Sequence, residues 1–377
     1  MKFSFTGELG LNKLESKLPW YSTGKTKKGA DYKRLNLAVI KAKNNRAMTE
    51  LFGQVSEALK LKDTDGNDIE IKWADRFDED IVDKVSNFNK HVAIYHDENG
   101  NEVRKTFVAE YDFINYIIEN IDMFKGKVRI TGDVKKSIYN GNIKNVFNIK
   151  NIYSVDDEVA NKLQISVRYI WNKDSIDLAD WAENKQINFS GYTREYISKN
   201  DLGADKGAYK YIEQPLVFDC SKVDFEDPKH VKLVEFKLSN LGIDYNNNQP
   251  KIKIKNDYVS MDLVVNYVEG AEEVEFDENQ LTDIQKEAIE LGLNTIDDFK
   301  PRNSIFGEKK KIYKIVNFNL VGDYSEGYVK IDETQAEFEE EIFTPVANVS
   351  SLEDELKDST SAADDKAVEE ELEDLFG

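Results

Sequence analysis

The chain has 377 residues, 40% of them hydrophobic and 11% aromatic, which excludes a fully disordered protein and leaves room for two or three domains. Its single cysteine, Cys220, excludes an intramolecular disulfide and a thiolate zinc site, and predicts a buried thiol in a reducing compartment. No run approaches the ~20 apolar residues of a membrane span, and the N-terminus has no apolar signal region, so we expect a cytoplasmic protein with no membrane partner.

The net charge of −21 is distributed unevenly along the chain. Residues 337–377 contain 15 acidic and two basic residues. Three earlier segments are locally basic: Lys17–Arg46 has nine Lys and Arg residues against Asp31, Lys125–Lys150 has seven against Asp133, and Lys300–Lys314 has six against Glu308. Basic segments on an acidic chain indicate a local groove for an anionic ligand, and not a uniformly attractive surface.

Residues 1–155 are expected to form a first domain, which opens with a strand around Phe3 and Phe5. A basic loop with two glycines, residues 22–31, follows and leads into a returning strand over Tyr32–Ile40. The alternation along this strand predicts an apolar face for the core and a polar, aromatic face outside it. The two sets are Leu35, Leu37 and Val39 inside, and Tyr32, Arg34 and Asn36 outside.

The rest of the first domain is predicted from its periodicity. Helical spacing over Arg46–Lys60 predicts a helix with Phe52 on its apolar side. A second helix is predicted over Glu110–Phe124, followed by two strands, Lys127–Val134 and Ile143–Tyr153. Strands, then a helix, then two strands is the order of a five-stranded Greek-key barrel, the OB-fold.

Residues 163–330 are expected to form a second domain that repeats the first. Three short matches occur in the same order: Ile187–Gly191 with Phe3–Gly7, Gly203–Lys210 with Gly24–Lys33, and Gly307–Lys311 with Gly132–Lys136. We therefore predict a mainly β (α+β) protein with two tandem OB-fold-like barrels and inserted helices. Residues 337–377 have few large apolar side chains and are predicted to form a disordered acidic tail.

The sequence carries no motif of a catalytic or cofactor site. It has no phosphate-binding loop, no dinucleotide fingerprint and no zinc-ligand spacing among its three histidines. In a chain with 72 Asp and Glu residues, neighbouring carboxylates are usually solvated. We expect no enzymatic activity, no cofactor and no metal, with a two-metal nuclease built from scattered acids as the open alternative.

Basic and aromatic residues instead recur at the hairpin loop and late strands that line the binding face of an OB-fold. This combination suits a single-stranded nucleic acid, because cations meet its phosphates and rings stack on its exposed bases, at roughly 1–3 kcal/mol per base. The candidate residues are Trp20, Tyr21, Lys25, Lys27, Lys28, Tyr32, Arg34, Arg129, Lys135, Lys136, Tyr139, Tyr192, Arg194, Tyr209, Tyr211, Lys309, Lys310, Lys311 and Tyr313. Taken singly, each has a simpler interpretation: Trp20 as the plug of a barrel end, for example, or a lysine run as a solvated turn.

The hairpin Trp20–Arg34, the late strands Lys127–Tyr153 and the acidic end Glu371–Gly377 resemble those of the single-stranded DNA-binding proteins of bacteriophages and bacteria. This resemblance implies an OB-fold body that coats and protects single-stranded DNA during replication, recombination or repair, in the host cytoplasm if the protein is phage-encoded. It also implies that Asp374, Leu375 and Phe376 form a tip that recruits replication or recombination proteins.

Two other functions remain open from the sequence. An acidic interaction protein or DNA mimic would use its charge directly and would have no affinity for single strands. An RNA-binding or recombination accessory protein would use the same basic and aromatic surface on a different ligand.

Overall fold

The structure, a computed structural model, describes residues 1–42, 45–139, 142–255, 257–270, 282, 286, 310–318, 328–331 and 335–343. The protein is mainly β, and the described residues include a 15-stranded sheet that runs through both halves of the chain. No described helix combines the length and the apolar character that crossing a membrane requires.

The N-terminal half contains ten described strands and two α-helices. The strands are β1 (Lys2–Gly10), β2 (Tyr21–Lys25), β3 (Asp31–Ala42), β4 (Asn45–Gln54), β5 (Ala58–Lys62), β6 (Asp68–Lys72), β7 (His91–His96), β8 (Glu102–Phe107), β9 (Lys127–Tyr139) and β10 (Asn142–Ser154). The α-helices are α1 (Glu79–Lys84) and α2 (Glu110–Glu119), and short 3-10 turns cover Trp73–Asp75, Asn87–Asn89 and Ile121–Phe124.

The C-terminal half contains nine described strands and four α-helices. The strands are β11 (Lys162–Trp171), β12 (Ile176–Asp177), β13 (Gln186–Ile197), β14 (Ala208–Asp219), β15 (Ile243–Asn246), β16 (Gln249–Ile252), β17 (Val259–Gly270), β18 (Lys310–Phe318) and β19 (Val329–Lys330). The helices are α3 (Trp181–Asn184), α4 (Lys199–Leu202), α5 (Pro228–Asn240) and α6 (Gln335–Glu340), with a 3-10 turn at Lys173–Ser175.

Five strands of the N-terminal half close into the first barrel. β1 pairs antiparallel with β3 and β9, β3 pairs with β4, and β9 pairs with β10. The ring closes where β10 pairs parallel with β4. This ring order is that of an OB-fold. Along the chain, α2 lies between the third and fourth barrel strands, as the sequence predicts. Its residues Phe113, Ile114 and Ile117 are buried against the barrel.

The second barrel has the same connectivity. β11 pairs antiparallel with β13 and β17, β13 pairs with β14, and β17 pairs with β18. β14 and β18 close the ring in parallel, as β4 and β10 do in the first barrel. The predicted tandem OB-like fold is confirmed, whereas the domain boundaries at residues 155 and 163 stay predictions.

Two of the three sequence matches that suggested the duplication fall on strands that are not equivalent, and the third includes Gly307–Lys309, which lie outside the described residues. Phe3–Gly7 lies in the first strand of its barrel, but Ile187–Gly191 lies in the second strand of its own. Gly24–Lys33 leads into a second strand and Gly203–Lys210 into a third. Short alternating segments resemble one another on any strand of a barrel, so the duplication is one of topology.

The barrels join through their first strands. Lys2–Thr6 of β1 pairs antiparallel with Lys162–Ser166 of β11, and Ser4 lies opposite Gln164 at the centre. The N-terminal part of the first strand of each barrel thus pairs with the equivalent part of the other, as in a two-fold symmetric interface. Aromatic packing continues across the junction, because the ring of Phe147 in β10 lies 5.0 Å from that of Tyr267 in β17.

The helix predicted over Arg46–Lys60 is wrong, because residues 45–54 form strand β4. Alternate residues of β4, Ala47, Thr49 and Leu51, are buried opposite β3, while Phe52 on the other face is 49% exposed. Gly53 is where α2 crosses the strand, since a Cβ there would lie 2.3 Å from the backbone nitrogen of Tyr111. Pairing with β3 therefore overrides a periodicity that fitted a helix equally well.

Residues 337–343, which the composition assigned to the acidic tail, are ordered on the second barrel. Phe338 of α6 is fully buried, and Ile342 forms a β-bridge with Tyr211 of β14. Phe338 lies between the rings of Tyr211 and Tyr258, and Ile342 packs partly buried against the same cluster, so two apolar side chains hold this acidic segment on the barrel. The proposed tip residues Asp374, Leu375 and Phe376 lie outside the described residues.

Candidate nucleic-acid interface

The outer face of β3 and β4 carries a pair of stacked aromatic rings. The ring of Tyr32 lies 5.4 Å from that of Phe52, with 29° between the planes, and Phe52 is half exposed. Arg34 lies directly opposite Phe52 in the β3–β4 ladder. We call Tyr32, Arg34 and Phe52 the first aromatic face. It presents flat apolar surface beside a cation, on the strands that bind ligands in OB-folds.

The inside and outside assignments for β3 are confirmed with one exception. Leu35, Leu37 and Val39 are fully buried. Asn36, predicted to be available outside, is only 3% exposed, and its Nδ2 donates a 2.9 Å hydrogen bond to the carbonyl oxygen of Pro19. Asn36 therefore fastens the preceding loop to the barrel.

Gly24 of β2 leaves room for the ring of Tyr32. The two residues lie opposite each other in the β2–β3 hairpin, and a Cβ on Gly24 would lie 2.9 Å from Cε1 of Tyr32. A glycine in a strand commonly marks such a close approach. The ring of Tyr32 thus lies between the backbone of β2 and the ring of Phe52, which fixes the platform.

Arg34 is held at the platform by an acidic neighbour. Its Nη2 donates a 2.7 Å hydrogen bond to Oε2 of Glu50, on β4. The side chains of Arg34 and Glu50 are 20% and 37% exposed, so the pair lies at the surface of the face. A guanidinium has five N–H donors, and the bond to Glu50 uses one of them. Glu50 therefore orients Arg34 while leaving it able to bind a phosphate.

The β2–β3 hairpin places lysines at the end of the face where Tyr32 lies. Gly29 donates to the carbonyl oxygen of Thr26 at 2.8 Å and adopts a φ of 82°, which closes the turn. Lys27 and Lys28 are exposed at this turn. Lys25 is 68% exposed and lies 2.7 Å from the carboxylate of Asp31. These cations extend the positive charge beyond Arg34.

Trp20 and Tyr21 do not share the outer face. Tyr21 lies opposite Leu35 in the hairpin, and cross-strand partners point to the same side, here the core. The ring of Trp20 meets that of Tyr21 edge-on at 4.5 Å, and both pack half-buried on the core. This placement matches the alternative in which Trp20 plugs the end of the barrel.

The late-strand candidates are divided between surface and interior. Lys135 of β9 is exposed, whereas Arg129 is half-buried, and its Nε has no hydrogen-bond partner among the described residues. Tyr139 is the last residue of β9, and its side chain lies outside the described part of the structure. Lys135 and Arg129 lie on β9, which is not a neighbour of β3 or β4 among the described strand pairings.

Lys136 and Tyr313 lie in the contact between the two barrels. Nζ of Lys136 donates a 2.9 Å hydrogen bond to Oε1 of Gln214, on β14, and burial lowers the pKa of this lysine to about 8. The hydroxyl of Tyr313 accepts a 2.6 Å hydrogen bond from Nδ2 of Asn145, on β10, and burial raises its pKa to about 12. Both side chains join the barrels instead of facing a ligand.

The second barrel repeats the arrangement of the first aromatic face in the same register. Arg194 of β13 lies opposite Tyr211 of β14, and Tyr192 lies opposite Glu213. The first barrel has Arg34 opposite Phe52 and Tyr32 opposite Gln54. Each barrel thus has a Tyr-x-Arg segment on its second strand and a ring opposite the arginine on its third. We call Tyr192, Arg194 and Tyr211 the second aromatic face.

The second aromatic face differs from the first in what is exposed. Tyr209 and Tyr196 are each 59% exposed and meet edge-on at 5.5 Å. The guanidinium of Arg194 lies 5.6 Å from the ring of Tyr209. Tyr211, in contrast, is only 3% exposed, because the ring of Phe338 stacks on it at 4.1 Å. The edge of this face is open and its centre is filled.

The lysine run at 309–311 is only partly described. Lys309 lies outside the described residues, and Lys310 begins β18 with only its backbone described. Nζ of Lys311 lies 2.9 Å from the carboxylate of Glu269, its cross-strand partner on β17. For Lys311, this pairing favours the role of a strand-stabilising ion pair.

Sequence reasoning missed three aromatic residues that the structure brings to these faces. Phe52 was hidden by the helix prediction, and Tyr196 follows Tyr192 and Arg194 on the same face of β13, where strict alternation could have found it. Tyr258, which stacks on Phe338 at 3.9 Å, comes from a distant part of the chain and gives no local signal.

The described residues contain no group of three or more His, Cys, Asp or Glu side chains that could hold a metal ion. The predicted burial of Cys220 is confirmed: its side chain is 3% exposed, and burial raises the pKa of the thiol to about 12. The thiol is therefore uncharged near neutral pH and packs as an apolar group.

No family model matches the sequence, and no curated protein matches it either. Among solved structures, the chain is similar to the single-stranded DNA binding protein from Thermus aquaticus. The wild-type structure of that protein shares 9% identity at a TM-score of 0.26, over 71% of this chain and 84% of that chain. A deletion mutant of it shares 9% identity at 0.25, over 71% and 86%. The strand pairing of the chain itself carries the assignment of its fold.

Proposed function

We propose that this protein binds single-stranded DNA without sequence preference and takes part in DNA replication, recombination or repair. The observation that carries this proposal is the first aromatic face, where the exposed ring of Phe52 stacks with Tyr32 beside Arg34. Single-stranded binding without sequence readout needs rings for the bases and cations for the backbone, and this face supplies both.

The strand would lie across β3 and β4. One base stacks on Phe52 or Tyr32, and the phosphates bind Arg34 and the exposed lysines of the β2–β3 hairpin. Double-stranded DNA keeps its bases stacked on one another, so it would gain only the phosphate contacts. The surface therefore favours single strands by the stacking free energy, about 1–3 kcal/mol per base.

Binding of this kind requires no bond to be made or broken, and we propose that the protein is not an enzyme. The acidic tail is the second part of the proposal. The tip Asp374, Leu375 and Phe376 would insert apolar side chains into a pocket on a replication or recombination protein, with the tail carboxylates meeting basic residues around it. This part rests on the sequence resemblance alone.

The direct test is a titration of labelled oligo-dT with the purified full-length protein, followed by fluorescence anisotropy. An unlabelled duplex of equal length serves as the competitor. We expect binding of oligo-dT at low salt, weakening as salt rises, and weak competition by the duplex. No binding at low salt would reject the proposal and favour the acidic interaction protein or DNA mimic.

A further inference from the structure

The ring of Phe338 lies between two tyrosine rings in a geometry typical of stacked aromatic groups. Its centroid lies 3.9 Å from that of Tyr258 with 21° between the planes, and 4.1 Å from that of Tyr211 with 23°. Tyr192 closes the side, edge-on at 5.4 Å. Phe338 is 0% exposed although it lies in an acidic segment. The two tyrosines therefore form a slot for one flat ring.

The slot is built on the second aromatic face. Tyr211 occupies the same register position as Phe52, the exposed ring of the first aromatic face. The two barrels therefore offer equivalent rings, one open and one covered. Whatever flat group stacks on Phe52 would find a tighter partner surface at Tyr211, because Tyr258 adds a second ring.

The backbone around Phe338 is fastened to the same place. The amide of Tyr211 donates to the carbonyl oxygen of Glu341 at 2.9 Å, and the amide of Phe343 donates to the carbonyl oxygen of Tyr211 at 2.9 Å. These two hydrogen bonds add the segment to β14 as a short parallel bridge. Nζ of Lys210, also on β14, donates to the carbonyl oxygen of Glu340 at 3.4 Å, so the segment is bound to this strand through its backbone.

One carboxylate of the segment lies beside the arginine of the second aromatic face. A carboxylate oxygen of Glu341 lies 3.8 Å from Nη2 of Arg194, the arginine of the second aromatic face. That oxygen is buried and has no hydrogen-bond partner among the described residues. Glu339 and Glu340 are exposed beside it. One ring in the slot with carboxylates beside it reproduces the two features of a nucleotide.

From this geometry we propose that Tyr211 and Tyr258 form a nucleobase-binding slot, which residues 337–343 occupy as an internal nucleotide mimic until single-stranded DNA displaces Phe338. The inference rests on the proposed function, because it assigns the second barrel the same ligand as the first. It differs from a general electrostatic effect of the tail, since the exchange takes place between one ring and one base. The sequence left open that the whole acidic chain mimics DNA. In this proposal, only residues 337–343 do so.

The test compares three full-length variants for binding of an oligo-dT of about 30 nucleotides, enough to span two OB-folds. Phe338→Ala empties the slot, and we expect about tenfold tighter binding, as one stacked base provides. Phe338→Ala combined with Tyr258→Ala should lose this gain. Glu339→Gln, the control, removes one exposed charge from the segment and should change affinity far less than Phe338→Ala.

Three outcomes would overturn the proposed slot alone. Phe338→Ala could leave the affinity unchanged, the gain could persist in the double variant, or Glu339→Gln could match the gain, which would make the effect electrostatic. If the wild-type protein and all variants fail to bind, the proposed function fails as well. If only the slot is wrong, Phe52→Ala still weakens binding while Phe338→Ala has no effect.

A measurement on the wild-type protein covers the case in which Phe338→Ala does not fold. Hydrogen exchange of the peptide that contains residues 335–343 reports the amide of Phe343, which is bonded to Tyr211. We expect faster exchange of this peptide at saturating oligo-dT, because DNA releases the segment. Unchanged or slower exchange at saturation would overturn the proposal.

Discussion

Arg34 lies directly opposite Phe52 across the β3–β4 ladder, so a guanidinium and an exposed ring stand side by side on the outer face of the first barrel. Their separation is set by the sheet, since directly paired residues have Cβ atoms only about 5 Å apart. Neighbouring nucleotides of a single strand present a phosphate and a base face in the same way.

The hairpin lysines should contribute charge without sequence preference. Joint replacement of Lys25, Lys27 and Lys28 by Ala should weaken binding about equally for oligo-dT and for mixed sequences. The slope of log affinity against log salt should flatten by about 0.7 for each lost phosphate contact. Titrations at several salt concentrations measure this slope. A change of affinity with an unaltered slope would mean that these lysines do not meet phosphates.

Glu50 should oppose binding of the backbone while it orients Arg34. Glu50→Gln removes a negative charge from the face and keeps an oxygen that can accept from the guanidinium. We therefore expect tighter binding of oligo-dT by a few-fold and a steeper salt slope. Glu57→Gln outside the face is the matched control and should leave both unchanged. Weaker binding by Glu50→Gln would show that orientation of Arg34 outweighs the repulsion.

Lys136 predicts a pH dependence of stability. Its pKa is about 8 in the folded protein, below the ordinary lysine value of 10.5, because burial disfavours the charged form. Between these values the unfolded chain binds more protons than the folded one, so the free energy of unfolding should rise with pH. From pH 7.5 to 9.5 the rise should be about 2 kcal/mol from this group.

Urea denaturation of the wild-type protein and of Lys136→Met at these two pH values measures the contribution. The variant should lack the rise, and it should be the more stable of the two at pH 7.5, where the buried charge costs most. Nδ2 of Asn145 lies 3.2 Å from Oε1 of Gln214 and keeps that oxygen bonded in the variant. An equal pH dependence in both proteins would show that Lys136 is solvated.

Sequence periodicity predicted the elements whose structure is determined by residues close to one another in the sequence. The alternation of Leu35, Leu37 and Val39 placed β3 correctly, and helical spacing placed α2. The same approach failed for β4, because its apolar residues fit a period of 3.6 as well as a period of two. Pairing with β3 decided between them, and no single segment contains that information.

The position of a residue relative to the other barrel was not predictable from the sequence. Lys136 was expected at a ligand-binding surface, but the first strands pair in a way that brings β9 against β14 and buries it. The burial of Phe338 likewise depends on Tyr211 and Tyr258, which precede it in the sequence by 127 and 80 positions. Composition alone placed Phe338 in a disordered tail.

The most direct test of the account compares Phe52→Ala with Gln54→Ala, two exposed substitutions on the same face of the same strand. We expect Phe52→Ala to weaken oligo-dT binding by 1–3 kcal/mol, about 5- to 150-fold, with the salt slope unchanged. Gln54→Ala should stay within about twofold of wild type. If the two variants bind alike, or if Phe52→Ala only lowers the melting temperature, the first aromatic face is not the DNA-binding surface.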